Sequence, residues 1–114
     1  MKPTIHSVIA AASQVYGIPA DILTSAERVR NVAWPRQVAM VAVRNHCGTS
    51  YPAIGRAFGG RDHATVLHAI KRVADRNCPD ERAALQAIAL MVSPDAGKTK
   101  RRWMRGIFAE LGII

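Results

Sequence analysis

The sequence predicts an all-α fold in a single small domain, and three observations predict it. At 114 residues and 49% hydrophobic content, the chain has enough apolar side chains for one modest core. Only 5% of the residues are aromatic, and β-branched residues rarely alternate with polar ones, so a sheet is disfavoured. Apolar residues instead recur at the spacing that is typical of helices packed on helices.

The first predicted helix begins after Thr4, whose hydroxyl suits an N-cap, and ends at Gly17, where a helix would stop. A short helical turn follows it. The next stretch, residues 25–33, has no apolar periodicity and carries Arg28 and Arg30, so we predict a basic loop there.

A second long helix is predicted from Pro35, which suits a first helical turn, to Gly48. Ser50 then suits the N-cap of a short helix over residues 51–58. The pair Gly59-Gly60 breaks that helix sharply. A helix, a glycine-containing turn and another helix therefore follow one another in the order of a helix-turn-helix.

The helix after this turn is predicted to begin at Arg61 or Asp62 and to end near Arg76, and another is predicted from Pro79 to Val92. Turn-forming residues follow, and beyond them the chain is first basic and then apolar at helical spacing. We therefore predict a helical domain over residues 1–96 and a basic amphipathic extension over residues 97–114.

Positive charge is concentrated in two segments of a chain whose formal net charge is +8. Residues 24–76 carry nine basic and three acidic side chains, and residues 98–110 carry five and one. Such a distribution is typical of a protein that binds a polyanion, although a merely solvated basic surface has the same composition. Charge alone does not separate DNA from RNA or from an anionic membrane.

Helical geometry over residues 62–73 separates an apolar face from a polar one. The predicted packed face holds Val66, Leu67, Ile70 and Val73, and His63 projects into the same sector. A polar face with small residues first and cations later suits entry into the DNA major groove, although an ordinary surface helix has the same pattern. That face comprises Ala64, Thr65, His68, Lys71 and Arg72.

Two runs of sequence carry a specific resemblance: RQVAM at residues 36–40 and PAIGRAFGGRDHATVLHA at residues 52–69. They closely resemble the C-terminal DNA-binding domain of the bacterial replication initiator DnaA. The resemblance is dense over residues 28–76, fainter over residues 4–92, and absent from the tail. It implies a Trp-repressor-like helix-turn-helix of the DnaA C-terminal type that binds a double-stranded site resembling TTATCCACA.

The resemblance also implies roles for individual residues. Arg28 matches an arginine that enters the minor groove, and Arg30 is a second cation nearby. Asp62 and His63 match the pair that reads bases in the major groove. Pro52 matches a proline that touches a base methyl group. A contact near the phosphate backbone is implied for Thr65, and contacts to the backbone itself are implied for Arg36, Gln37, Arg44 and Arg72. The other candidates are Tyr51, Arg61, Ala64, His68 and Lys71.

Three residues depart from the family pattern. Ala64 replaces a threonine used in base recognition, so a methyl group is kept and a hydroxyl is lost. Tyr51 replaces a usual leucine, and Trp34 replaces a usual basic or small residue. We therefore expect a site preference that differs from the ordinary DnaA box.

The motifs of the sequence favour a binding protein over an enzyme. We find no catalytic constellation and no paired metal-ligand spacing, and we expect neither a cofactor nor a metal. The phosphate-binding pattern GxxxxGKS or GxxxxGKT is also missing from the 114 residues. Cys47 and Cys78 form no disulfide framework, and no apolar run is long enough for a bilayer, so we expect a cytoplasmic protein near the nucleoid.

Two classes of function follow. The first is a DNA-binding regulator of transcription or replication initiation without ATPase activity. The second is an adaptor whose basic residues 98–114 recruit a protein partner such as RNA polymerase. For this tail, docking on the core is the simpler interpretation, and extended DNA contact or a membrane-surface helix are alternatives. The chain is also compatible with a fragment of a full-length initiator.

Overall fold

Helices supply all the regular structure in the described part of the chain, which is residues 3–26 and 30–92 of a computed structural model. The all-α prediction is confirmed. The predicted terminal helix and the boundary between residues 96 and 97 lie outside the described residues. The helices are α1 (Ile5–Tyr16), α2 (Ala20–Leu23), α3 (Ala33–Cys47), α4 (Tyr51–Ala57), α5 (His63–Arg76) and α6 (Pro79–Val92), with a 3-10 turn at Arg30–Val32.

Local capping sets both ends of α1. The Thr4 hydroxyl accepts a hydrogen bond from the Ser7 backbone N–H at 3.0 Å, and the Ser7 hydroxyl oxygen accepts one from the Thr4 N–H at 3.1 Å. This reciprocal pair satisfies N–H groups that have no partner within the helix. Gly17 ends the helix in the left-handed conformation at φ 65°. Both predicted ends of this helix are therefore confirmed.

The start of α3 differs from the sequence prediction. The helix begins at Ala33, two residues before Pro35, and the 3-10 turn at Arg30–Val32 replaces part of the predicted loop. Proline is tolerated there because it is the third residue of the helix, where the backbone N–H would have no intrahelical acceptor. Val32 is buried, so the turn is fixed by packing that the local sequence pattern does not reveal.

Helix α3 runs through the middle of the fold and contacts α1, α4, α5 and α6. Its residues 38–43 are all at most 2% exposed. A helix that is apolar on every side over such a stretch is buried on every side. The other helices therefore pack around α3, and α5 is held against both α3 and α4.

A close backbone contact fixes the turn between α4 and α5. The Gly55 carbonyl accepts hydrogen bonds from the Gly60 and Arg61 N–H groups at 3.0 and 2.9 Å. A Cβ atom on Gly55 would lie 1.8 Å from the Arg61 carbonyl oxygen, so only glycine fits. Gly59 and Gly60 have φ of 84° and 79°, which reverses the chain. The predicted helix, turn and helix are confirmed.

Candidate nucleic-acid interface

The N-terminus of α5 is capped by the first residue of the expected reading pair. The Asp62 carboxylate accepts the Thr65 backbone N–H at 2.8 Å and is exposed to solvent. Hydrogen bonds from the Thr65 N–H and then from its hydroxyl lower the pKa of Asp62. Asp62 is therefore ionised at neutral pH, and its position is fixed relative to the helix that follows.

His63 is exposed, so the expectation that it projects into the packed sector is wrong. It is the first residue of α5, and helical side chains lie over the turn that precedes them. Because no helical turn precedes His63, its side chain has no packed surface to cover. Leu67 also differs from the prediction, since it is 37% exposed at the edge of the apolar face.

The rest of the amphipathic pattern of α5 is confirmed. Val66, Ile70 and Val73 are buried against the core. The helix thus presents a continuous polar surface that begins at its N-terminus, and neither Lys71 nor Arg72 forms a salt bridge with another described residue. The exposed residues of this surface are Ala64, Thr65, His68, Lys71 and Arg72.

Arg36 occupies a different environment from the exposed phosphate contact that the resemblance implies. It is 4% exposed, and its Nε and Nη2 donate to the carbonyls of Leu23 and Ile22 at 2.8 and 3.0 Å. Burial, and then the nearby Arg61 charge, lower the pKa of Arg36. The structure therefore shows Arg36 holding the end of α2 against α3.

Gln37 belongs to a cluster that sequence analysis did not identify, centred on Arg76. The Arg76 guanidinium donates to the Gln37 side-chain oxygen at 2.8 Å and to both carboxylate oxygens of Glu81 at 2.9 and 2.7 Å. It also lies 4.1 Å from the centroid of the Trp34 ring. We call these four residues the Arg76 cluster. Helical periodicity gives no signal for it because Gln37 and Arg76 are 39 residues apart.

Arg44 and Tyr51 lie together at the N-terminus of α4. The Arg44 guanidinium is 4.6 Å from the centroid of the Tyr51 ring, and its Nη1 donates to the Thr49 carbonyl at 2.7 Å. The Ser50 hydroxyl accepts from the Ala53 N–H and caps the helix. Pro52, which the resemblance places near a base, is exposed at the second position of α4.

Arg61 connects the turn of the helix-turn-helix to the start of the basic loop. Its Nη1 donates to the Ser25 carbonyl at 2.8 Å and to the Phe58 carbonyl. The neighbouring Gly59 packs so closely that an added Cβ would lie 2.6 Å from the Ala26 nitrogen. The turn before α5 therefore packs directly against Ser25 and Ala26, the first residues of the predicted loop. Of the two loop arginines, Arg28 lies outside the described residues, and Arg30 begins the 3-10 turn.

A groove of about 660 Å³ separates the N-terminal part of α3 from the outward face of α5. One wall is aromatic and polar, and the other carries side chains of the predicted reading helix. The groove therefore joins the first turn of α3 to the candidate interface. Its lining includes Trp34, Arg36, Gln37, Arg61, Thr65, His68 and Arg72.

Comparison with protein families matches residues 5–73 to the bacterial dnaA protein helix-turn-helix. The chain belongs to the bacterial DnaA helix-turn-helix family. The match begins at the first residue of α1 and ends in the third turn of α5, so it includes the capped α5 N-terminus. The helix-turn-helix is a motif of DNA-binding proteins in which the second helix enters the major groove.

Curated relatives of this DnaA-type domain are chromosomal replication initiator proteins DnaA. The protein from Lactococcus lactis subsp. cremoris is 45% identical over 73 residues, which are 64% of this chain and 16% of that protein. The protein from Sphingopyxis alaskensis is 44% identical over 88 residues, which are 73% of this chain and 19% of that protein. The protein from Bartonella quintana is 42% identical over 80 residues, which are 70% of this chain and 16% of that protein. The chain thus spans less than a fifth of the length of these relatives.

Residues 3–26 and 30–92 contain no group of three or more His, Cys, Asp or Glu side chains that could hold a metal ion. No helix among them is both long enough and apolar enough to cross a bilayer. Cys47 and Cys78 are not joined in a disulfide, and each is partly buried.

Proposed function

We propose that this domain binds double-stranded DNA at a DnaA-box-like site, with α5 in the major groove. The observation that carries the proposal is the N-terminus of α5, where residues 62–65 are consecutively exposed beyond a tightly fixed turn. Farther along the same helix, Lys71 and Arg72 are exposed cations. Small and polar residues stand at the N-terminus of this helix, and cations stand farther along it. This order fits a helix that meets base edges at its tip and phosphates along its length.

The side chains at this tip have the chemistry for base recognition. A carboxylate such as Asp62 accepts a hydrogen bond from the cytosine amino group, and the imidazole of His63 offers a donor or an acceptor to a base edge. The methyl group of Ala64 suits contact with a thymine methyl. We therefore assign sequence recognition to these three residues and the positioning of α5 to the cations that follow.

A second element is proposed to bind the minor groove beside this site. Arg28 belongs to the segment that the sequence predicts as a basic loop, and an arginine side chain suits the negative potential of a narrow, A·T-rich minor groove. The support is that Ser25 and Ala26, which come shortly before Arg28 in the chain, contact Arg61 and Gly59 of the turn that precedes α5. We infer that this contact sets the distance between the two reading elements.

The proposed role of the domain is to occupy sites that control replication initiation or transcription. Its relatives are named chromosomal replication initiator proteins, which supports a site related to initiation. The GxxxxGKS or GxxxxGKT pattern does not occur in the 114 residues, so we propose site recognition for them and assign them no nucleotide hydrolysis.

Selection of bound duplexes from a random DNA pool tests this function. We expect the wild-type chain to enrich a short motif that resembles TTATCCACA and differs from it where Ala64 contacts the DNA. The matched control is His63→Ala, which keeps the cations and should enrich the motif much more weakly. Recovery of duplexes without any common motif would contradict sequence-specific binding.

A further inference from the structure

Trp34 is an exposed aromatic residue at the edge of the candidate interface. It is 56% exposed, whereas Phe58 is fully buried and Tyr16 and Tyr51 are half-buried. Tryptophan is enriched at binding surfaces because its ring can bury a large apolar area on binding while its N–H donates a hydrogen bond. Neither the base-reading residues nor the cations of the proposed function account for it.

The Arg76 cluster holds this indole in place. The Arg76 guanidinium covers the Trp34 ring at 4.1 Å, and two hydrogen bonds to Glu81 fix the guanidinium. The Glu81 side chain is only 8% exposed, and that of Arg76 is 17% exposed, so the ion pair is well shielded from water. Gln37 accepts a further hydrogen bond from Arg76. Because the ring is already ordered, binding costs it little conformational entropy.

The position of Trp34 indicates what it contacts. It lines the same groove as Thr65, His68 and Arg72, which belong to the outward face of α5. A helix in the major groove is bordered by sugar–phosphate backbone, so a residue beside the outward face of α5 is placed to meet that backbone. The neighbouring Arg72 is an exposed cation with no salt-bridge partner among the described residues, so the surroundings favour a polyanion over an apolar protein surface.

We propose that Trp34 is a charge-neutral contact to the backbone of DNA bound on α5. Its indole Nε1–H donates to a phosphate oxygen, and the exposed part of its ring packs on the adjoining deoxyribose. Indole nitrogen is a donor only, which suits a phosphate, and such contacts position a protein on duplex DNA without reading its sequence. This inference rests on the proposed function and adds a contact to it.

Salt dependence distinguishes this contact from a cationic one. We expect Trp34→Ala to weaken binding about threefold to tenfold, equally on a box duplex and a scrambled duplex, as loss of one hydrogen bond and its packing would. The slope of log K against log[salt] should stay at its wild-type value, because no counterion-releasing charge is removed. Arg72→Ala is the matched control, and its slope should become shallower by about 0.9. Trp34→Arg should make the slope steeper by about the same amount.

Intrinsic fluorescence provides a second readout. Trp34 and Trp103 are the two tryptophans of the chain, so Trp103→Phe leaves the emission of Trp34 alone. We expect saturating duplex to change that emission along the binding curve measured by anisotropy of labelled DNA. Trp34→Phe keeps a ring over Arg76 but lacks the donor, so its affinity should fall between those of the wild type and Trp34→Ala. Melting curves of each variant confirm that it is folded at the assay temperature.

Two results separate the failure of this inference from the failure of the proposed function. If the wild type binds duplex DNA but the emission of Trp34 does not change and Trp34→Ala binds with wild-type affinity, the contact is overturned and the function stands. If anisotropy shows no binding to any duplex, the proposed function itself is overturned, and the contact with it.

Discussion

The structure places His63 in a different environment from the one that helical geometry predicts. Geometry from the sequence placed it in the packed sector of α5, whereas the structure places it on the surface at the first position of the helix. Its removal therefore leaves no cavity in the core. This separates two effects that would otherwise be confused, loss of base recognition and loss of folding.

We predict that His63→Ala costs about 1–3 kcal/mol of binding free energy on the preferred duplex and much less on a scrambled one, because base contacts specify whereas phosphate contacts position. The melting temperature should stay close to that of the wild type. Anisotropy titrations with both duplexes, alongside melting curves, measure this. Equal losses on both duplexes, or wild-type affinity on both, would contradict the assignment.

Ala64→Thr is the companion prediction. Position 64 is exposed, so the added hydroxyl and methyl group meet no packed neighbour and the fold should be unchanged. The hydroxyl restores the donor and acceptor that the resemblance implies for base recognition at this position, so preference should move toward the ordinary DnaA box. Competition between the box and the motif selected by the wild type measures the shift. An unchanged ratio would indicate that position 64 does not face the bases.

Among the structural elements, the turn between α4 and α5 depends on Gly55, because a residue with a side chain would not fit there. We predict that Gly55→Ala lowers the free energy of unfolding by about 3 kcal/mol or more, because the new Cβ would overlap the Arg61 carbonyl. Gly17→Ala is the control, since it adds the strain of φ 65° but no contact within 4 Å. Chemical denaturation measures both. A Gly55→Ala variant no less stable than Gly17→Ala would contradict the close packing of the turn.

The hydrogen bond from Arg61 to the Ser25 carbonyl joins the turn before α5 to the chain that leads to Arg28. We predict that Arg28→Ala weakens binding and relaxes the preference at an A·T-rich edge of the site, since that arginine is proposed to enter the minor groove. Arg61→Ala should relax the same edge indirectly, because the loop loses its hydrogen bond at Ser25. Affinities for duplexes that vary only at the edge measure both changes. Full edge preference in the Arg28→Ala variant would exclude minor-groove recognition by that residue.

Helix ends were the most predictable part of the fold. Thr4, Gly17, Gly48 and Ser50 carry their capping function in their own chemistry, and the structure uses each as expected. The start of α3 was not predictable from Pro35, because the additional turn is held by the burial of neighbouring residues. Local sequence signals thus predict a capped helix end reliably. They do not predict a helix end that depends on the packing of distant residues.

The exposed face of the candidate site was predictable from the sequence. The buried contacts that hold the helices beneath it in place were not. Exposure at Thr65, His68 and Arg72 followed from helical spacing. The burial of Arg36 against α2 and the pairing of Arg76 with Glu81 depend on how the helices pack, which periodicity does not report. The resemblance to DnaA assigns DNA contacts by position, and the structure adds which of those side chains are held by other residues.

For the whole molecule, the net charge of +8 and the exposed cations of α5 predict strong electrostatic binding. If about five phosphates are neutralised, log K against log[salt] should have a slope near −4 to −5. Anisotropy titrations across a series of salt concentrations, with a scrambled duplex as the reference for non-specific binding, give this slope. An affinity that does not respond to salt would contradict a phosphate-binding surface.

The most direct test of sequence-specific recognition by α5 compares two labelled duplexes of equal length and composition, a DnaA-box duplex and its scrambled version. Both are titrated with the wild-type chain at one physiological salt concentration. We predict that the box duplex is bound more tightly than the scrambled one, by about 10³-fold or more. Equal affinity for the specific and scrambled duplexes would contradict it.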